Sequence, residues 1–157
     1  MKFQHKERLP DDILLDTLGA SIAIFGMGRV GSGAYDKMRE LHGETVVGID
    51  FDAERIKRHQ GVGRNVLHGD PSDADFWEKI EQDHSIELVM LALPNLQANL
   101  GTLEQLQQIS FTGRIAATAR FPDEVELLQR SGATAVFNIY TEAGAGFAEH
   151  VETQKQV

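Results

Sequence analysis

Six short apolar runs, each followed by a longer stretch with helical spacing, constrain this chain more than any other feature. The runs cover residues 21–25, 45–49, 65–68, 88–93, 114–119 and 135–138. Between the first two, Val30, Ala34, Met38 and Leu41 recur at the spacing of one helix face. Residues 53–59, 73–80 and 122–131 read as further helices, and Leu100, Leu103, Leu106 and Ile109 mark another. Gly43, Gly61 and Gly132 stop three of these segments, and Pro122 opens one at its first turn. Strands apolar on both sides that alternate with helices predict an α/β fold, a doubly wound parallel sheet of six strands with helices on both faces.

The 157 residues suit one domain of residues 20–138, preceded by a lead-in over 1–19 and followed by a peripheral helix and tail over 139–157. In the lead-in, Pro10, Asp11 and Asp12 look like a helix start for residues 13–18. In the tail, residues 143–151 form a short helix with Phe147 and Val151 on one stripe, and the last six residues fray. The longest apolar run, 88–93, is closed by Pro94 and is far shorter than a membrane span of about 20 residues. The N-terminus lacks the apolar core of a signal peptide, so the expected location is cytoplasmic. Cysteine is absent, which removes thiol chemistry, disulfides and cysteine-ligated zinc. A net charge of −9 argues against nucleic acid and anionic lipid as partners.

The sharpest motif is Gly26-Met27-Gly28-Arg29-Val30-Gly31, which follows the first strand, opens the first helix and precedes Asp50 at the end of the second strand. Gly26 permits the tight turn, Gly28 lets a phosphate approach the backbone, and Gly31 lets the helix pack close to the sheet. The motif makes the fold Rossmann-like and its helix N-terminus an anion site. Asp50 is placed to accept from ribose hydroxyls, or else to cap the next helix, for which Asp52 is the better candidate. Its charge would repel a 2′-phosphate, which disfavours NADP. Asp70, after Gly69 at the third strand's end, either accepts from the adenine amino group or only shapes a turn. Arg29 either meets a phosphate or is a solvated surface cation. Gly61-Val62-Gly63-Arg64 imitates a phosphate loop but precedes a strand, so it reads as a helix stop.

Groups for catalysis are missing. The six histidines, at 5, 42, 59, 68, 84 and 150, show no helical pairing suited to a metal. The chain lacks a nucleophile elbow and a Walker lysine. His68 and Tyr140 are the nearest acid–base candidates, and the tail after the sixth strand is too short for a substrate domain. Binding without turnover is the expectation, so the chain reads as no enzyme. Its alternatives are an NAD-dependent oxidoreductase subunit lacking its substrate domain, and a pure interaction module using Ile139, Tyr140 and Phe147.

Three segments then carry a family resemblance: Ala23 to Gly31, Val46 to Asp52, and Leu67 to Asp70. Together they resemble the TrkA N-terminal, or RCK, nucleotide-binding domain, most of all the cytosolic regulatory domain of Kef-type glutathione-regulated potassium efflux antiporters. The resemblance implies a homodimer that binds AMP, the first choice, or NAD(H), with ADP or ATP as further candidates. It implies a membrane-embedded cation transporter or channel as partner, in the same or another chain, and glutathione near the dimer interface. The nucleotide contacts it implies are Gly26, Met27, Gly28, Arg29, Val30, Gly31, Asp50, Phe51, Asp70, Leu93 and Asn99. Arg120 matches an arginine that follows the fifth strand in the family and is a candidate effector or interface contact. Leu93-Pro94-Asn95 departs from the family, where a threonine and acidic residues are frequent, and this favours a mononucleotide.

Overall fold

The structure, a computed structural model, describes residues 19–154; the helix start at Pro10 to Asp12 lies outside them. Six strands are described: β1 (Ile22–Phe25), β2 (Val46–Asp50), β3 (Val66–His68), β4 (Leu88–Leu91), β5 (Arg114–Ala119) and β6 (Ala135–Asn138). They form one sheet in the order β3-β2-β1-β4-β5-β6, and every pairing is parallel. The helices are α1 (Arg29–His42), α2 (Ala53–Gly61), α3 (Ala74–Asp83), α4 (Leu96–Gln108), α5 (Pro122–Arg130) and α6 (Ile139–Gln154). This is the Rossmann-like doubly wound fold that the alternation predicts.

Side chains alternate between two cores because successive strand residues point to opposite faces. Ile22, Ile24, Val46 and Val66 pack with Tyr35 of α1 and Ile56 of α2. Ala23, Phe25, Val47, Ile49, Val89 and Leu91 pack on the other face with Phe76, Trp77, Leu103, Leu106 and Leu128. Phe25 stacks on Trp77, centroids 5.2 Å apart, and Phe76 meets both rings edge-on. The side-chain hydroxyl of Tyr35, fully buried, accepts from Asn65 N–H at 2.6 Å and so ties α1 to the entry of β3.

One part of the sheet is covered on a single face. In β5 only the alternate residues Ile115, Ala117 and Ala119 are buried, and in β6 Ala135 and Phe137 are exposed. Met90, Ala116, Ala117, Ala135 and Phe137 line an open apolar hollow of about 710 Å³ beside α1. Helix α6 has no buried residue. It begins at Ile139, directly after β6, and not at Ala143; Asn138 Oδ1 accepts from Thr141 N–H at 3.2 Å at its start. It also holds residues 152–154 in helix, where the sequence predicted fraying.

Candidate nucleotide site

In this strand order, the connections from β1 and β4 leave in opposite directions, so a crevice opens at the carboxyl ends of those two strands. The glycine loop closes one side of it. Gly26 holds φ +94°, and a Cβ there would press on the Ala92 backbone. A Cβ on Gly31 would overlap the Gly26 carbonyl, so the helix sits as close as glycine allows. Gly28 differs. Its backbone is extended (φ −80°, ψ −150°), and a Cβ would meet no protein atom within 4 Å. The fold therefore sets no close contact against a side chain at 28, and glycine there leaves the backbone open to the crevice that it lines.

Gly28 caps α1 without a side-chain hydrogen bond. The first helical bond runs from Ser32 N–H to Gly28 O at 2.9 Å, which leaves the first-turn amides of Arg29, Val30 and Gly31 for the crevice. By contrast, Asp52, Asp73 and Asn95 cap α2, α3 and α4 with their own side chains. Asp52 is thus the α2 cap that the sequence suggested, accepting from Glu54 and Arg55 N–H.

Met27 is pinned from both sides. Its N–H donates to Asp50 Oδ2 at 2.8 Å, and its carbonyl lies 2.8 Å from His59 Nε2. A carbonyl only accepts, so Nε2 carries the proton and Nδ1 accepts from Arg64 Nη1 at 3.2 Å. Its side chain fills the space that Gly48 leaves open, so Met27 offers only backbone to a ligand. Neither His59 nor Arg55, which pairs with Asp50, stands out in the sequence as part of the site; both lie on α2 and reach it across the crevice wall.

Two adjoining clefts meet at Leu93 and Pro94. The first, about 330 Å³, is lined by Gly26, Gly28, Arg29, Val30, Arg55, Asn99, Thr118, Arg120 and Glu124 among others. The second, about 350 Å³, is lined by Phe51, Asp70, Leu93, Ala98 and neighbours on α4. The structure thus brings Gly26, Gly28, Arg29, Val30, Asn99 and Arg120 to one cleft, and Phe51 and Asp70 to the other; Met27 and Gly31 line neither. Asp50 lines neither, being covered by Arg55. Asp70 Oδ1 accepts from Ser72 N–H and Oγ–H at 2.9 and 2.7 Å, so it shapes the turn as well as facing the groove. Phe51 stands 66% exposed, a free ring face beside the groove.

Asn99 is 2% exposed; its Nδ2 donates to Thr118 O at 3.2 Å, while its buried Oδ1 meets no donor. An unpaired acceptor in a cleft wall suits a ligand's hydroxyl or amino group. His68 and Tyr140 line neither cleft. Gly61 to Arg64 forms the expected helix stop: Gly63 holds φ +87°, and Arg64 grips Asp36 of α1 through two bonds of 2.9 Å.

The sequence profile of the TrkA-N domain matches residues 22–139. The chain belongs to the TrkA-N domain family. The matched span starts at β1 and ends just after β6, so it takes in the loop, both clefts and the whole sheet. No curated protein matches this TrkA-N chain in sequence. Solved structures share its fold. The NAD(P)-binding domain of an exopolyphosphatase-related protein from Archaeoglobus fulgidus is 19% identical, with a TM-score of 0.76 over 85% of this chain and 98% of that one. The Kef C-terminal domain of Shewanella denitrificans in its AMP-bound form is 19% identical, with a TM-score of 0.68 over 85% and 80%. The GsuK channel bound to ADP is 21% identical, with a TM-score of 0.65 over 83% of this chain and 32% of the channel chain. Among the described residues of this TrkA-N domain, no helix is long and apolar enough to cross a membrane.

Proposed function

We propose that the chain is an adenine-nucleotide-sensing domain, taking AMP or NAD(H), that regulates a potassium efflux or transport protein. Gly28 is the observation that carries the reading: it stands at the start of α1 and lines the crevice, where a phosphate can approach the backbone with no Cβ in the way. The phosphate lies on the first-turn amides of α1, where the helix dipole adds a partial positive charge. Adenine lies in the groove of Phe51, Asp70 and Leu93, with Asp50 receiving the ribose. Beyond the loop the first cleft continues to Arg120, which is exposed and has no ion-pair partner among the described residues. Arg29 is in the same position. Two such cations along one cleft, which Glu124 also lines, leave a place for a second phosphate, so ADP and ATP stand beside AMP and NAD(H) as candidates.

Family membership supports the regulatory part of the reading, as do the AMP of the Kef domain and the ADP of the GsuK channel. In this reading the transporter is membrane-embedded, in the same or another chain, and the domain sits at its cytoplasmic face. In this reading two copies pair: the exposed stripe of Phe147 and Val151 on α6 and the open face of β4 to β6 stand uncovered among the described residues, and a twofold pair covers both at once. The Kef-type resemblance adds glutathione near that interface.

The test is a calorimetric titration of the intact chain with AMP, ADP, ATP, NAD and NADH. Binding of at least one is expected, and Asp50→Asn is expected to weaken it roughly 10- to 150-fold, the worth of charge-assisted bonds of about 1.5–3 kcal/mol. No binding by the unaltered chain overturns the reading. Sustained NADH oxidation with a panel of aldehydes and ketones would turn it toward an oxidoreductase.

A further inference from the structure

Asp50, the ribose-binding candidate, is closed off. Its side chain is 3% exposed. Met27 N–H donates to Oδ2 at 2.8 Å and Asp52 N–H to Oδ1 at 3.0 Å. Arg55 covers the remaining side, with Nη1 3.1 Å from Oδ1 and 3.2 Å from Oδ2. A carboxylate has about four acceptor positions, so two ribose hydroxyls have no room while the guanidinium stays. Arg55 itself is 38% exposed and lines the same cleft as Gly26, Gly28 and Arg29. Its Nη2 also lies 3.8 Å from Asp52 Oδ2, a weaker second hold.

We propose that Arg55 is a specificity-determining residue that makes ribose recognition depend on phosphate recognition. The proposal rests on the adenine-nucleotide reading above. A ribose diol that takes the outward lone pairs of Asp50 displaces the guanidinium into the cleft that Arg55 already lines. A phosphate on the glycine loop receives it there and restores a charge-assisted bond. A nucleoside breaks the same ion pair and returns nothing. Arg55 therefore widens the gap between nucleotide and nucleoside beyond what the loop amides supply, and guards the site against ligands that carry the base and sugar alone.

The experiment compares ADP and adenosine on the intact chain, with adenosine scored by competition against ADP. In Arg55→Gln, ADP binding is expected to change little, because the ion pair broken and the phosphate bond regained disappear together, while adenosine binding rises at least about 10-fold, so the discrimination ratio shrinks by that factor or more. Arg55→Lys, which keeps the charge without the planar fork, is expected to recover part of the ratio. An unchanged ratio in Arg55→Gln overturns the proposal, and so does an equal loss of both ligands, which marks Arg55 as merely holding Asp50. These outcomes differ from failure of the underlying reading, in which the unaltered chain binds no ADP at all and both ideas fall together.

Discussion

At the scale of single residues, Met27 shows how the loop is held in shape before any ligand arrives. Its amide is fixed by Asp50 and its carbonyl by His59, and behind His59 stands the Arg64–Asp36 pair. Hydrogen bonds from the Arg64 guanidinium hold the Asp36 carboxyl below its ordinary 3.8, against the opposing effect of burial. A carboxyl lowered on folding adds stability above pH 3.8, and that contribution disappears as pH falls through the lower folded value. The pair is partly exposed, so its worth is about 0.5–1 kcal/mol. Asp36→Asn is therefore expected to melt roughly 1–4 °C lower at pH 7. The gap should narrow as pH falls below 3.8, as read by thermal melts of both proteins. Residue roles were legible where the reason is local: Asp52 precedes a helix and caps it, and Gly26 must turn. His59 was not, because Met27 lies 32 residues away and only the fold brings the two together; Arg55 stands five residues from Asp50 and three from Asp52, a spacing that any solvated helix arginine can show.

Among the elements, α1 depends on two glycines for two different reasons. Gly31→Ala sets a methyl against the Gly26 carbonyl, an overpacked contact worth about 1–3 kcal/mol. The expected loss in Tm is roughly 3–10 °C. Gly28→Ala meets no protein atom, so its melting temperature should stay within about 1–2 °C of the parent. Nucleotide titration of that variant should show weaker binding. A large drop in Tm for Gly28→Ala would refute the division between them. Element order was readable because each strand is a dense apolar run. The bounds were less so: the apolar run 88–93 outlasts the strand, since β4 stops at Leu91 and Leu93 and Pro94 form the turn before the Asn95 cap. The early start of α6 was hidden by Ile139, Tyr140 and Thr141, residues common in strands, and by Gly144 and Gly146, weak helix formers.

For the molecule as a whole, the uneven cover of the sheet is what the proposed pairing of copies rests on. Phe147 is 72% exposed on a helix with no buried residue, and Phe137 is 53% exposed on the open face. Light scattering of the unaltered chain is expected to give the mass of two copies. Phe147→Asp, which puts a charge in the middle of the stripe, should give the mass of one. A single-copy mass for the unaltered chain at high concentration counts against the pairing. The strand order carries a further consequence, for the route by which the chain reaches this shape. Apart from the pairing of β1 with β4, the strands β1 to β3 pair with their sequence neighbours, and so do β4 to β6. The two halves join where Ile22 lies beside Leu88, the most sequence-distant register in the sheet and the dearest in loop-closure entropy. The nucleotide crevice lies above that seam. A ligand bound across it would act as a clasp between the two halves of the sheet, and its grip would be felt in how slowly they come apart.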